Sequence, residues 1–213
     1  MDKNEMWVKE QKILRTIKSL EKNNMEGFLV NDEKELLEKL KSLIKEGDTV
    51  SVGGSMTLFE TGVIDFLRSG NYNFLDRYKK GLKPDEIKDI FRKSFMCDDY
   101  IVSSNAVTEN GELYNVDGTG NRVAAMMYGP DQVIVIIGVN KIVRDIKAAI
   151  DRVKYNAAPA NTKRLDSNTP CTRLGYCVDC KSDNRICNEY SLIKRQKIKG
   201  RIKVIILNKD LGY

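Results

Sequence analysis

IVSSNAVTENGELYNVDGTGNRVAAMMYGPDQVIVIIGVNK, residues Ile101 to Lys141, is the stretch whose reading decides the fold. It opens on a short apolar strand over about 100–103 and closes on Val133–Gly138, an uninterrupted apolar run of the kind a strand covered on both faces requires. Between them, Asn110-Gly111 suits a type I′ hairpin turn. A glycine-rich turn then leads into a helix over about 121–128, which Gly129-Pro130 stops. The two outer strands read as the middle of a buried parallel sheet. The small and polar residues between them exceed what packing requires, so a small anionic ligand is expected there.

Working outward, the same alternation continues in both directions. A helix over 5–22 places Ile13, Ile17 and Leu20 on one face, and a strand follows over about 27–30. Asp32 and Glu35 have the spacing of a capping box, and Leu36, Leu37, Leu40, Leu43 and Ile44 give the next helix its apolar face. Strands are predicted over 49–52 and 72–75, with a helix between them reaching about Phe66. Pro84 opens a further helix at its favoured first-turn position. Beyond Lys141 come a helix over about 143–155, a stretch over 156–198 without clear periodicity, and an apolar strand over 201–207. Strands alternating with helices imply an α/β fold with a mainly parallel, layered sheet. The chain reads as one domain over 1–213, with a cysteine-rich insertion at about 157–198 before its last strand.

Apolar residues form 41% of the 213-residue chain, enough for a real core. No apolar run approaches the roughly 20 residues of a membrane helix. The charged stretch MDKNEMWVKEQK lacks the apolar segment of a secretory signal, so a cytoplasmic location is expected. The sequence holds no histidine. That excludes Ser-His and Cys-His catalysis and any imidazole metal site. A general base must then be Asp, Glu, Lys, Tyr or Cys.

Two glycine turns are candidate ligand cradles. In Thr49–Ser55 a strand passes through Gly53 and Gly54 into a helix start, where free N–H groups attract an anion; the alternative is a plain βα turn with Ser55 as N-cap. In Asp117-Gly118-Thr119-Gly120-Asn121-Arg122, the arginine sits in a first helical turn, where the helix dipole disfavours a cation. An anionic ligand would offset that, as would an internal pair with Asp117 or Glu109. The third position of a dinucleotide fingerprint is Val123, and no Gly-Lys pair exists, so no nucleotide-cofactor motif is present. Glu60, Glu109 and Asp117 are the candidate catalytic carboxylates, against the plainer reading of solvated turn residues. Asn105, just past a strand end, either binds the ligand or holds the hairpin.

Cys171, Cys177, Cys180 and Cys187 lie within 17 residues, which points to a metal centre. Only Cys177 and Cys180 are closely spaced, so a four-iron four-sulfur (4Fe–4S) cluster is preferred to zinc. From Lys163 to Lys203 eleven Lys/Arg face four Asp/Glu, a net +7 that leaves the rest of the chain at −1, and cations beside a −2 thiolate cluster explain that excess. An acidic electron-transfer partner is the next reading, and nucleic acid the weakest, since no aromatic platform is interleaved. Cys97 stands apart and reads as a buried apolar residue.

The segments VGGSMTLFETG (52–62), SSNAVTENGELYNVDGTGNRVAAMMYGPDQVIVIIGVNKIV (103–143), AAPANTKRL (157–165) and TPCTRLGYCVDCKSDNRIC (169–187) together resemble the LUD family, the lactate-utilisation C proteins, formerly a domain of unknown function. The four-cysteine segment marks a distinct branch. The resemblance implies a fold like that of the NagB/RpiA/CoA-transferase group. It also implies a part in oxidising L-lactate, or a similar 2-hydroxy acid, to pyruvate alongside iron–sulfur subunits. The first functional expectation is therefore an oxidoreductase component, with Arg122 pairing with a bound anion and the cysteine centre passing electrons. The second is a non-catalytic assembly or metabolite-sensing subunit with structural zinc.

Overall fold

The computed structural model describes residues 2–213; Met1, the first residue of the charged N-terminal stretch, lies outside the described residues. Six strands form one sheet in which every neighbouring pair is parallel. In spatial order they are β1 (Glu26–Val30), β10 (Ile202–Leu207), β7 (Gln132–Gly138), β4 (Asp99–Val102), β2 (Thr49–Val52) and β3 (Asn73–Leu75). The strands expected at the centre, β4 and β7, are the central pair. Side chains alternate across a strand, so β7 divides its apolar run between two cores. Val133, Val135 and Ile137 join Tyr100, Val102, Val204 and Ile206 on one face, while Ile134 and Ile136 join Ile101, Ile205 and Leu207 on the other. A polar residue anywhere in that run would be buried without a partner, which is why the run is uninterrupted.

The face bearing Ile134 is covered by α2 (Glu33–Leu43), α3 (Met56–Glu60) and α4 (Val63–Ser69), through Leu36, Leu40, Leu58, Val63, Ile64 and Leu67. The opposite face receives Ile13 and Leu20 of α1 (Lys3–Lys22), Ala125 and Met126 of α6 (Asn121–Met127), and a second sheet. That sheet runs β8 (Ile142–Val143), β5 (Ala106–Thr108), β6 (Leu113–Asp117) and β9 (Glu189–Ile193). Its Val107, Leu113, Ile142 and Ile193 enter the main core. On its far side, Ala106 and Tyr114 pack against Ala149 of α7 (Ile146–Arg152) and Val153.

The helix that Pro84 opens is α5 (Pro84–Lys93), while several other local expectations are corrected. The helix expected from Ser55 to Phe66 is two helices, because Gly62 adopts a left-handed conformation between them. The hairpin turn is not type I′, which needs positive φ at both central residues. Only Gly111 has one (φ 76°); the Gly111 amide donates to the Thr108 carbonyl, and a Cβ on Gly111 would meet α1 at Leu20 N and Ser19 C, 2.6 Å away. In the capping box of α2, Glu35 N donates to Asp32 Oδ1, but the Glu35 carboxylate accepts from Asn31 N rather than from Asp32. The stretch over 156–198 is more ordered than its lack of periodicity suggested. A π-helical turn (Val153–Ala157) carries α7 into α8 (Ala158–Arg164), α9 (Pro170–Leu174) follows, and β9 is a full partner of β6.

At the opposite end of the sheet from its carboxyl edge, Asp99 opens β4 in a buried position. Its Oδ1 accepts from Gln132 Nε2, and its Oδ2 has no partner among the described residues. Burial, with the Asp48 carboxylate nearby, pushes Asp99 up to about 6 despite the Gln132 hydrogen bond. A raised carboxylate costs stability above its folded pKa, and that cost disappears as pH falls below the unfolded value. Asp99→Asn is therefore expected to raise unfolding stability at pH 7–8 by on the order of 1–3 kcal/mol. Urea melts should show the gap closing near pH 4.

Candidate functional site

A parallel sheet points all its strand carboxyl ends the same way, and the turns that follow them share one edge. Here five of those turns converge on a cavity of about 450 Å³. Gly54 and Ser55 come from the turn after β2, Arg77 and Tyr78 from that after β3, and Ser103 to Asn105 from that after β4; Lys141 follows β7 and Tyr213 follows β10. The second sheet adds Val116 to Thr119, with Asn121 and Arg122 of α6; Asn161 and Arg164 of α8 and Ile186 close another side.

Arg122 is the buttress of this site. Its Nε donates to Asp117 Oδ1 at 2.8 Å, Nη1 to Ser103 O and Asn115 Oδ1, and Nη2 to Asn105 Oδ1 and Val116 O. All five guanidinium hydrogens are thereby committed inside the protein. The internal pair with Asp117 is the one that offsets its unfavourable place in the helix, and the expectation that Arg122 pairs with the ligand is corrected. The anion at the start of α6 is likewise the protein's own, since Val123 N donates to Asp117 Oδ2 at 3.0 Å.

The remaining sequence candidates divide. Gly54, Ser55, Asn105, Asp117, Gly118, Thr119, Asn121 and Arg122 line the cavity. Gly53 lies behind it, where a Cβ would come within 2.6 Å of Val102 Cγ2 and crowd Arg122. Gly120 supplies the left-handed residue before α6 and is also outside the lining. Ser55 occupies the N-cap position of α3 but makes no side-chain capping bond. Asn105 holds the hairpin, its Oδ1 accepting from Val116 N as well as from Arg122. Asp117 is consumed by Arg122. Glu60 accepts from Gly212 N at 2.7 Å and stands outside the lining, while Glu109 is remote, paired with Arg15 at 2.9 Å.

Lys141 was missed by the sequence reading. It is 2% exposed, lines the cavity, and donates from Nζ to Thr57 Oγ1 (2.9 Å) and Ser103 Oγ (3.0 Å). Among the described residues no carboxylate pairs with it. Burial pulls the amine down to about 7, Arg152 and Arg122 push the same way, and Glu60 opposes them. Its signal was available: a lone cation three residues past a seven-residue apolar strand falls at the ligand edge of a parallel sheet. Arg77, stacked 4.4 Å over the Phe91 ring, and Arg164 add two more cations. Asp117 is the only carboxylate among the lining residues.

The four-cysteine metal centre is overturned. Cys171, Cys177, Cys180 and Cys187 border one small recess, but among the described residues no three Cys, Asp or Glu side chains form a group able to hold a metal ion. Cys171 Sγ lies instead beside the hydroxyls of Thr162 (3.4 Å) and Thr169 (3.3 Å). A guanidinium organises the segment: Arg185 donates to the carbonyls of Cys180 and Cys187 and reaches Asp179. The expected 4Fe–4S cluster, its zinc alternative, the electron-transfer role built on them and the charge argument for the basic excess fall together. Those basic residues have separate tasks, Arg164 at the cavity, Arg185 in this loop and Arg201 on the carbonyls of Met126 and Pro130. The loop still serves the site, because Asn188 donates to Asp117 O and Gly118 O, docking it on the glycine turn. Cys97 is buried as expected, and burial pushes its thiol up to about 12.

These features define an α/β protein with an all-parallel six-stranded sheet and a basic cavity at its carboxyl edge. The chain belongs to the LUD domain family, whose model matches residues 13–207. Its sheet has the NagB/RpiA/CoA-transferase-like arrangement. The crystal structure of a DUF162 family protein from Deinococcus radiodurans is similar over 98% of this chain and 99% of that one, with a TM-score of 0.50 and 13% identity, a likeness of fold. The crystal structures of eIF2B beta and eIF2B delta from Chaetomium thermophilum match 54% and 56% of this chain, and 44% and 50% of their own, at TM-scores of 0.37 and 0.36 and identities of 16% and 20%. No curated protein matches it. Among the described residues no helix is long and apolar enough to cross a membrane.

Removing one member of a buried ion pair strands the other. Arg122→Ala is expected to cost about 3–5 kcal/mol of unfolding free energy. The double variant with Asp117→Asn should cost less than the two single losses added, a coupling that denaturant melts of all four proteins would measure.

Proposed function

We propose that this chain handles a small metabolite bearing a carboxylate or phosphate group, held in the cavity at the carboxyl edge of the parallel sheet. The observation that carries the reading is Lys141, a buried ammonium position facing that cavity with hydroxyl partners and no carboxylate. A buried charge without a counter-charge is expensive. An anionic ligand supplies the missing partner. Arg77 and Arg164 extend the positive potential outward, a geometry that raises local anion concentration. The hydroxyls of Ser55 and Thr119, which also line the cavity, offer neutral donors to the same ligand. Five free cysteines, with no disulfide among them, support a reducing compartment and hence the cytoplasm.

Sulfate, a dianion across the working range, tests the site without titrating itself. Calorimetry is expected to show one site, weakened tenfold or more by Lys141→Met and by a lesser factor in Arg77→Met. Affinity should fall between pH 6 and pH 8.5 as Lys141 loses its proton, because only the ammonium form attracts the anion. Equal binding by Lys141→Met and the parent would rule the site out.

A further inference from the structure

The cavity contains a group that electrostatic attraction alone does not explain. A lysine serving only as a counter-ion is best placed at hydrogen-bond distance from a fixed carboxylate, or at a solvated rim where its charge costs little. Lys141 has neither setting. Its Nζ sits at the floor, between the Thr57 and Ser103 hydroxyls. The backbone of Gly212 packs over it so closely that a Cβ there would lie 2.8 Å from Thr57 Oγ1 and 3.4 Å from Lys141 Nζ. The walls thus fix the amine's position while leaving its cavity side open.

We propose that Lys141 is a nucleophile that forms an imine with a small anionic carbonyl compound, a 2-oxo acid or a phosphorylated aldehyde or ketone. The inference rests on the anion-site reading above and names the chemistry of that site. The neutral amine's lone pair attacks the carbonyl carbon and a C–N bond forms. Protons shift from nitrogen to oxygen, for which the Ser103 and Thr57 hydroxyls are within reach of Nζ. The carbonyl oxygen then leaves as water and C=N remains. Nothing is oxidised or reduced, and no co-reactant is needed. The ammonium form of Lys141 draws the anion in, and beside the neutral amine Arg77 and Arg164, which line the same cavity, retain the anionic group of the same molecule.

The electrostatic surroundings favour the nucleophilic form. The charged and titratable groups around Lys141 are Glu60 and Arg152, with Arg77, Tyr78, Asp117, Arg122, Arg164 and Tyr213 lining the same cavity. Cations dominate that set, and with burial they hold the amine near 7, so a large neutral fraction exists at physiological pH.

The test uses the full-length chain with glyoxylate, 2-oxoglutarate and dihydroxyacetone phosphate as separate probes, each reduced in place with cyanoborohydride and mapped by peptide mass spectrometry. The expected result is an adduct of probe minus water plus two hydrogens on Lys141, at least tenfold above any other lysine, and suppressed by excess sulfate. Its rate should rise between pH 6 and pH 8 and then level. Lys141→Arg keeps the cation, so it should still bind sulfate while losing the adduct. Sulfate binding by the parent without a preferred adduct on Lys141 overturns the imine and leaves the anion site standing. Absence of sulfate binding overturns both.

Discussion

The Arg122 guanidinium is the interaction on which the site depends. Its five hydrogens tie together the turn after β4, the start of β5, the end of β6 and α6, elements drawn from both sheets. A planar fork with every donor used has one geometry, which makes it a positioning device rather than a flexible ligand group. The hairpin of the second sheet is thereby held against the carboxyl edge of the first, and the cavity is the space left between them. Gly53 fits the same constraint, because a Cβ there would clash with Val102 Cγ2 at 2.6 Å and crowd the arginine stem at 3.1 Å.

The consequence for charge is a division of labour between neighbouring cations. Arg122 is paired with Asp117 and has every donor committed inside the protein. Lys141 lies close enough to feel Arg122 and Arg152 but has no carboxylate of its own. A hydrogen-bonded ion pair fixes its surroundings, whereas a buried cation without a counter-charge favours an anion beside it. The cavity therefore combines a rigid half, built on Arg122, with a reactive half, built on Lys141. The cysteine loop is likewise anchored, by hydrogen bonds from Arg185 and Asn188 to backbone carbonyls.

The layered parallel fold was legible because β7 carries two alternating apolar faces in one run, a pattern that few other settings demand. The glycine turns could be placed at the carboxyl edge of the sheet for the same reason. What pairs with what was not. Arg122 could be placed at a helix start from spacing, but its five acceptors come from residues 103 to 117, brought to it only by the folded hairpin. Lys141 was hidden by the ordinary frequency of surface lysines; its burial depends on Thr57, 84 positions away, and on Gly212. The cysteines misled in the opposite direction. Proximity in sequence is a condition for a metal site but not a geometry, and Arg185 sits among them with hydrogen bonds that a metal-centred loop would not need. β9 escaped notice because three of its five residues are exposed and its partner β6 lies more than seventy residues earlier.

Strand order has a further consequence for how the molecule comes into being. β1 pairs only with β10, so the strand formed by Glu26–Val30 has no neighbour in the sheet until Ile202–Leu207 exists. During synthesis that early strand waits through most of the chain, with α1 and α2 as the neighbouring helices that precede or follow it directly. Parallel pairings of such sequence separation close slowly, and an unpaired strand edge invites association with other chains. The N-terminal helices cover the two faces of that strand, but its edge is closed only when the last strand of the sheet arrives.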